Sequence, residues 1–422
     1  MALNYLPRVV DAQLLRALRN SGAVLVKGPK WSGKTATSLQ QAASALFLQD
    51  PDYSPGYLAT ADTKPSLLLQ GEQPRLIDEW QMAPQLWDAV RFAVDRQGGT
   101  GLFILTGSTT PTVTGSHSGV GRIAHLVMRT MSLFESQDSS GEISLGILFD
   151  GGNDVAALSS ITVEDYAAYV CRGGWPTAVT MEMDSRNPGE FAQQYVSGFI
   201  ESDVSRLDGV TRNATRMRAL LRSYARHVGT QASQATINGD IAIHEQLADP
   251  RTIADYLDAL RRAYVIEDLE AWAPSLRSKT ALRTSSTRHF IDPSIGLAVN
   301  NITPAHLLRD FESFGLVFKS LVVRDLRIYA ESLGGRVAHY RDKTGLEADA
   351  IIELGDGRWA AIEVKMGAAE IEKAAQNLLK LESRINTELM GPPSFLAVIT
   401  AGETAYTRAD GIHVFPLGVL GP

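Results

Sequence analysis

Apolar residues fall into three regimes along the chain. Over 23–135, short unbroken apolar runs alternate with stretches of helical spacing. Ala23-Val24-Leu25-Val26, Leu76-Ile77 and Leu102-Phe103-Ile104-Leu105 are too short for helices, which predicts buried strands at 23–27, 56–59, 75–78 and 102–106. Helices are expected from Val10 to Leu18, beside the first strand, and from Thr35 to Phe47. Strand, loop and helix in repetition predict a parallel sheet covered by helices. Residues 163–230 read as mostly helical, interrupted by the tight turn Gly173-Gly174-Trp175-Pro176.

Residues 235–292 predict a short helix near 240–247, a turn at Ala248-Asp249-Pro250, and a longer helix from Arg251 to Ala263. The inner face of that helix carries Ile253, Tyr256, Leu257 and Leu260. Strands at 264–270 and 288–291 flank the basic run 275–283, which makes a winged-helix layout with a basic wing. The last regime holds an amphipathic helix at 312–332, strands at 337–341, 347–352 and 359–365, a helix at 369–384 and a strand at 394–400.

Composition narrows the class. The 422 residues are 44% hydrophobic and 21% charged, as in soluble globular chains of two to four domains. Rising Gly, Ser and Asp content between 140 and 160 marks a domain edge, and the division expected is 1–140, 141–230, 231–300 and 301–422. No apolar run approaches the roughly 18–20 residues of a membrane span, and the first residues lack the basic start and apolar core of a signal peptide. Membrane partners are therefore not expected. The single cysteine, Cys171, excludes an internal disulfide and a cysteine zinc cluster; it reads as a small buried hydrophobe in a cytoplasmic protein. A net charge of −7 means that any nucleic-acid binding must come from local patches. One such patch lies between Gly209 and Gly239, which has no acidic residue and places Arg218, Arg222 and Arg226 on one helix face. That face suits either phosphate or the acidic residues of another domain. Arg251, Arg261 and Arg262 are expected exposed and available to a DNA backbone.

Candidate chemistry begins at Gly28-Pro29-Lys30-Trp31-Ser32-Gly33-Lys34-Thr35, which fits G-x-x-x-x-G-K-[ST] between a strand and a helix. Glycines let backbone N–H groups wrap a β-phosphate, and the helix turns its positive end to the same charge. Lys34 is expected to reach the β/γ-phosphates of ATP, and the Thr35 hydroxyl to hold Mg²⁺. Asp78 and Glu79 end the 75–78 strand as a Walker B pair, with Asp78 a Mg²⁺ ligand and Glu79 the group that orients and deprotonates water. Thr106 and Ser108 follow the next strand, where a polar sensor of the γ-phosphate is expected. Arg122, after a Gly/Ser/Thr-rich loop, is the candidate arginine finger, in the same or a neighbouring subunit, with Arg129 as competitor. A second constellation, Asp349 with Glu363-Val364-Lys365, has the D…(D/E)-x-K spacing. Alternation puts Glu363 and Lys365 on one strand face, so two carboxylates can share a Mg²⁺ while the ammonium activates water.

With these residues in place, the chain resembles the bacterial and archaeal AAA-type P-loop ATPases that carry a C-terminal DUF4143 domain. The resemblance covers essentially the full length. It rests on the 28–35 motif, Leu76-Ile77-Asp78-Glu79, Leu105-Thr106-Gly107-Ser108, Gly121-Arg122, Gly173-Gly174-Trp175-Pro176, His289-Phe290-Ile291-Asp292, Tyr340-Arg341-Asp342, Glu347-Ala348-Asp349 and Ile362-Glu363-Val364-Lys365. It implies an α/β P-loop NTPase sheet, a helical and winged-helix middle region, and a PD-(D/E)xK-like α/β end domain. One departure stands out: the family usually has Phe-Glu where this chain has Phe318-Lys319, which removes a metal ligand that Glu312, one to two turns earlier, would have to replace.

The functional expectation is a Mg²⁺-dependent ATPase coupled to a nucleic-acid-binding end module. Two alternatives stay open: a nucleotide-dependent protein switch or scaffold without DNA contact, and an ATP-gated Mg²⁺-dependent nuclease. A homo-oligomer is compatible with all three.

Overall fold

A computed structural model describes residues 5–109, 118–152, 155–181, 187–203, 210, 212–242, 249–274 and 285–422. Contacts divide the chain into two compact units: Met1–Thr130 with Asp203–Thr211 and Asp258–Val265, and Met131–Ser202 with Arg212–Leu257 and Ile266–Pro422.

The first unit is built on β1 (Ala23–Lys27), β2 (Ser44–Phe47), β3 (Arg75–Asp78), β4 (Phe103–Gly107) and β5 (Ile123–Val127). They form one sheet in the order β2-β3-β4-β1-β5, parallel throughout. A parallel sheet must be covered on both faces, and the side-chain alternation of β1 serves both. Val24 and Val26 pack with Val10, Leu14 and Leu18 of α1 (Val9–Asn20). Ala23 and Leu25 turn the other way and share a core with Leu86, Trp87, Val90 and Val94 of a helix at Gln85–Gln97.

Two expectations are corrected here. Residues 56–59 are helical, inside Ser54–Thr63, because Pro55 in the first turn presets the helical φ; Tyr57 and Leu58 pack onto the core from there. The second strand comes instead from the stretch expected to continue the helix after the glycine loop: that helix spans Lys34–Leu39, and β2 follows. As an edge strand with one buried residue, Leu46, β2 lacks the apolar run that marks β1 and β4.

The second unit contains β6 (Ile143–Ser144), β7 (Ala157–Leu158), β8 (Gly335–Arg341), β9 (Glu347–Leu354), β10 (Trp359–Lys365), β11 (Phe395–Thr400), β12 (Thr404–Thr407), β13 (His413–Pro416) and β14 (Leu420–Gly421). Seven of these form a mixed sheet in the order β7-β12-β13-β11-β10-β9-β8, and β14 pairs with β6. The helix Ile371–Arg384 joins the parallel pair β10 and β11, burying Ala374, Ala375, Leu378 and Leu381 with Trp359, Ala361 and Val398. The helix Phe311–Ser332 packs against β8, β9 and β10.

The sequence motifs of the middle region turn out to build a buried polar network. Gly173, at a φ of +72°, leaves no room for a Cβ against Ser294 and Asp292, and the Gly174 N–H donates to Asp292 Oδ2 at 2.9 Å. The Trp175 indole donates to Ser294 Oγ at 3.0 Å. Asp292 also receives Arg324 at 3.1 Å, and Arg324 bridges to Asp325, whose Oδ2 accepts the Leu133 N–H. Burial pushes the Asp325 carboxyl up to about 6 despite Arg324 beside it.

Helices Gln234–Ala242 and Pro250–Arg262 are followed by antiparallel bridges Ile266–Phe290 and Leu269–Thr287. The expected inner face, Ile253, Tyr256, Leu257 and Leu260, is buried. The basic run 275–283 lies outside the described residues, as do residues 243–248. Of the three arginines expected to be exposed, only Arg251 is; Arg261 is half-buried, and Arg262 is held at 3.1 Å by Asp258. Cys171 is buried and burial pushes its thiol up to about 12. Among the described residues no helix is long and apolar enough to cross a membrane.

Candidate functional site

The loop 28–35 leaves the carboxyl end of β1, and its backbone has the shape the motif requires. Gly28 sits at a φ of +156° with its Cα against the Met128 carbonyl oxygen, where no Cβ fits. Gly33 is left-handed at +95° and opens the helix Lys34–Leu39. Ser32 closes the turn by donating Oγ–H to the Pro29 carbonyl at 2.9 Å. Trp31 is left-handed at +64° and 64% exposed, and Lys30 is half-buried. The loop is braced from α1's leading residue: the buried Arg8 guanidinium donates to the Ser32 and Arg129 carbonyls, both at 2.9 Å.

The Lys34 side chain is buried within the loop it follows, with Nζ donating to the Pro29 carbonyl at 2.7 Å. Burial lowers its ammonium to about 8, and the charges of Glu79 and Asp78 resist that fall. The sequence places these three residues up to 45 positions apart; the parallel order β3-β4-β1 brings the strand ends together.

Asp78 is buried at the end of β3. Its Oδ1 accepts from Thr35 Oγ1 and from Thr106 Oγ1, both at 2.7 Å, and Gln49 Nε2 lies 3.5 Å from Oδ2. Glu79 takes a left-handed backbone at a φ of +56°, a strain of about 1–2 kcal/mol for a residue with a side chain. Thr106 Oγ1 accepts its N–H at 3.1 Å. The Glu79 carboxylate accepts from Ser108 Oγ at 3.1 Å and from Gln81 Nε2. Gln81, which the sequence reading did not single out, leaves its Oε1 buried without a partner beside this site. Position 81, two residues past the acidic pair, was the only signal for it.

A hydroxyl and a carboxylate at contact distance, both hard oxygen donors beside a glycine cradle, fit a Mg²⁺ that also touches phosphate. Lys34, Thr35, Asp78, Glu79, Thr106 and Ser108 are thus brought together. Arg122 is not among them. Its carbonyl bonds the N–H of Ala23 at the opposite, amino end of β1, and its guanidinium pairs with Asp95 at 2.8 Å. Arg129 lies two residues beyond β5 and is buried. Most of the small-residue loop before Arg122, 110–117, is outside the described residues.

The second constellation also assembles, with a different balance. Asp349 Oδ1 is 2.6 Å from Lys319 Nζ, and its Oδ2 accepts the Val364 N–H at 2.9 Å. Glu363 Oε2 is 2.9 Å from Lys365 Nζ, and its Oε1 accepts from Asn377 at 2.7 Å. Burial would raise Asp349, but Lys319 and Lys365 outweigh it and hold the carboxyl below its usual range. Glu363 is pushed up to about 7 by burial and by Asp349. Glu312 is exposed in the first turn of its helix and is not among the partners of Asp349. All four carboxylate oxygens already have protein partners, and no group of three or more candidate ligands occurs among the described residues. This donor set fits two ammonium groups rather than a divalent metal.

Comparison with known proteins bears out the expected AAA and DUF4143 domains. Residues 20–137 match the family model of an AAA domain, 163–306 that of a domain of unknown function (DUF8612), and 314–420 that of a domain of unknown function (DUF4143). The chain therefore carries an AAA domain and a C-terminal DUF4143 domain. Uncharacterised proteins of Mycobacterium bovis and Mycobacterium tuberculosis are each 25% identical over 417 residues, 97% of this chain and 83% of theirs. Among solved structures, a Walker-type ATPase of Pyrococcus abyssi is similar at 15% identity and a TM-score of 0.44, covering 69% of this chain and 94% of its own.

Proposed function

We propose that this protein binds ATP in the 28–35 loop and hydrolyses it with Mg²⁺, and that nucleotide state is coupled to nucleic-acid binding by the second unit. The observation that carries the hydrolytic reading is the triangle of Thr35, Asp78 and Thr106 around one carboxylate oxygen, both hydroxyls at 2.7 Å. Lys34 binds the β/γ-phosphates, while Thr35 and Asp78 hold Mg²⁺. Held there, Mg²⁺ would supply charge neutralisation for the transferred phosphoryl group. Glu79, fixed by Ser108 and Gln81, orients water and takes its proton.

The test is phosphate release alongside calorimetric ATP binding. Lys34→Ala should lose nucleotide binding, whereas Glu79→Gln should retain it and lose about 10²–10⁴-fold in turnover. Turnover unchanged by Lys34→Ala would overturn the assignment. The tie between Glu79 and Ser108 favours a second reading, in which ATP acts mainly as a switch with slow turnover. Tight binding with near-zero turnover in the unmutated chain would select it.

The end domain is read as a restriction-endonuclease-like sheet whose metal position is taken by lysine. Support comes from Lys319 against Asp349 and Lys365 against Glu363. On this reading the domain binds rather than cuts. Assembly into a homo-oligomer remains part of the proposal, because the described residues of one chain bring no Arg122 to the phosphate loop.

A further inference from the structure

Two hollows lined by described residues of the second unit differ in electrostatic character. One, of about 210 Å³, is lined by Lys319, Arg341, Glu347 and Asp349 among others. There each cation faces a carboxylate: Lys319 is 2.6 Å from Asp349, and Arg341 is 2.9 Å from Glu347. The other, of about 120 Å³, is lined by Gln193, Ser197, Arg218, Arg222 and Asn301 together with apolar residues. Among the described residues no carboxylate lines it.

Arg218 and Arg222 are exposed on the helix Ala214–Arg226, and among the described residues neither has an ion-pair or side-chain hydrogen-bond partner. They stand one turn apart, about 6 Å along the axis, on the same face. Like charges so placed repel by a few tenths of a kcal/mol, and in a chain of net charge −7 an acidic neighbour was readily available to relieve them. The next residue on that face, Arg226, is 64% exposed and reaches Asp240 only at 3.6 Å. The pair is thus left open to an outside anion.

We propose that this hollow binds a backbone phosphate of a nucleic-acid strand. Arg218 and Arg222 supply forked, permanently charged donors matched to phosphate oxygens, and Gln193, Ser197 and Asn301 supply neutral ones. Size selects the source. Pockets for whole small ligands run from about 300 Å³ upward, so 120 Å³ seats a phosphate group carried by a larger molecule outside it. The cationic face continues along the helix to Arg226, which suits a polymer of phosphates. The inference rests on the reading that the second unit engages nucleic acid, and it names the surface that does so, a hollow whose lining shares no residue with that of the Asp349 centre.

The experiment titrates the full chain against a fluorescein-labelled 20-nucleotide single strand and its duplex, by anisotropy over a series of salt concentrations. The double variant Arg218→Gln/Arg222→Gln changes only exposed side chains, and its thermal melt should match the parent. Binding weaker by about tenfold or more, with the log–log salt slope reduced by about 1, is expected. Equal affinity and slope in the variant, or no oligonucleotide binding by the parent, would overturn the proposal. So would binding of a fluorescein-labelled phosphoserine peptide, lost in the double variant, by a chain that binds neither oligonucleotide. ATP turnover is followed in the same samples: its absence would sink the phosphate-loop reading alone, and its persistence in the variant is expected.

Discussion

Lys34 combines two demands that pull its proton in opposite directions. It must be charged to hold phosphate, yet it lies buried, and burial lowers its ammonium to about 8 against the resistance of Glu79 and Asp78. Below pH 8 the ligand-free site is already protonated and affinity should be flat. Above it the free lysine loses its proton while bound phosphates retain it, so binding takes up a proton and affinity should fall by up to tenfold per unit between about pH 8 and 10. Calorimetry in two buffers of different ionisation heat measures that uptake directly; no uptake at pH 9 would contradict it. Lys34 was legible because its partners are local: loop, lysine and hydroxyl lie within eight residues. Gln81 and Arg8 were not, since an amide and an arginine acquire meaning only through the carboxylate and the carbonyl they reach across the fold.

Among elements, the continuous apolar strands β1, β3 and β4 were legible, and the edge strands β2 and β5 were not. A strand buried on both faces writes an unbroken apolar run, whereas an edge strand with a single buried position resembles a loop or a helix end. The motifs Gly173-Gly174-Trp175-Pro176 and His289-Phe290-Ile291-Asp292 were visible as unusual strings. Their meaning came only from a turn and a helix start meeting 118 residues apart, where Asp292 receives the Gly174 N–H and Arg324. Removing that carboxylate leaves Arg324 buried with one acid fewer. Asp292→Ala should therefore destabilise the second unit by about 3–5 kcal/mol, read by urea unfolding. A loss below 1 kcal/mol would mean that water replaces the carboxylate.

For the whole molecule, the charge balance of the Asp349 centre carries the clearest expectation. With two lysines against two carboxylates, titration with Mn²⁺ should show no site that depends on Asp349, and plasmid incubated with Mg²⁺ or Mn²⁺ should stay intact with or without ATP. Nicking that disappears in Lys365→Ala would refute this. The spacing of Asp349, Glu363 and Lys365 was readable from the chain, as was the departure at Lys319. That Lys319 closes on Asp349 could be learned only from the fold.

The pairings of β12 with β7 and of β14 with β6 tie residues 404–421 to residues 143–158. β12 and β14 thus act as a clasp on the segment that precedes the helices of residues 163–262. A gene fusion cut between positions 300 and 301 would sever that clasp and leave both fragments with raw edges. Inheritance faces the same constraint: recombination that exchanged the DUF4143 stretch alone would have to bring its own 143–158, so the chain from 143 to 421 should be passed on as one indivisible cassette.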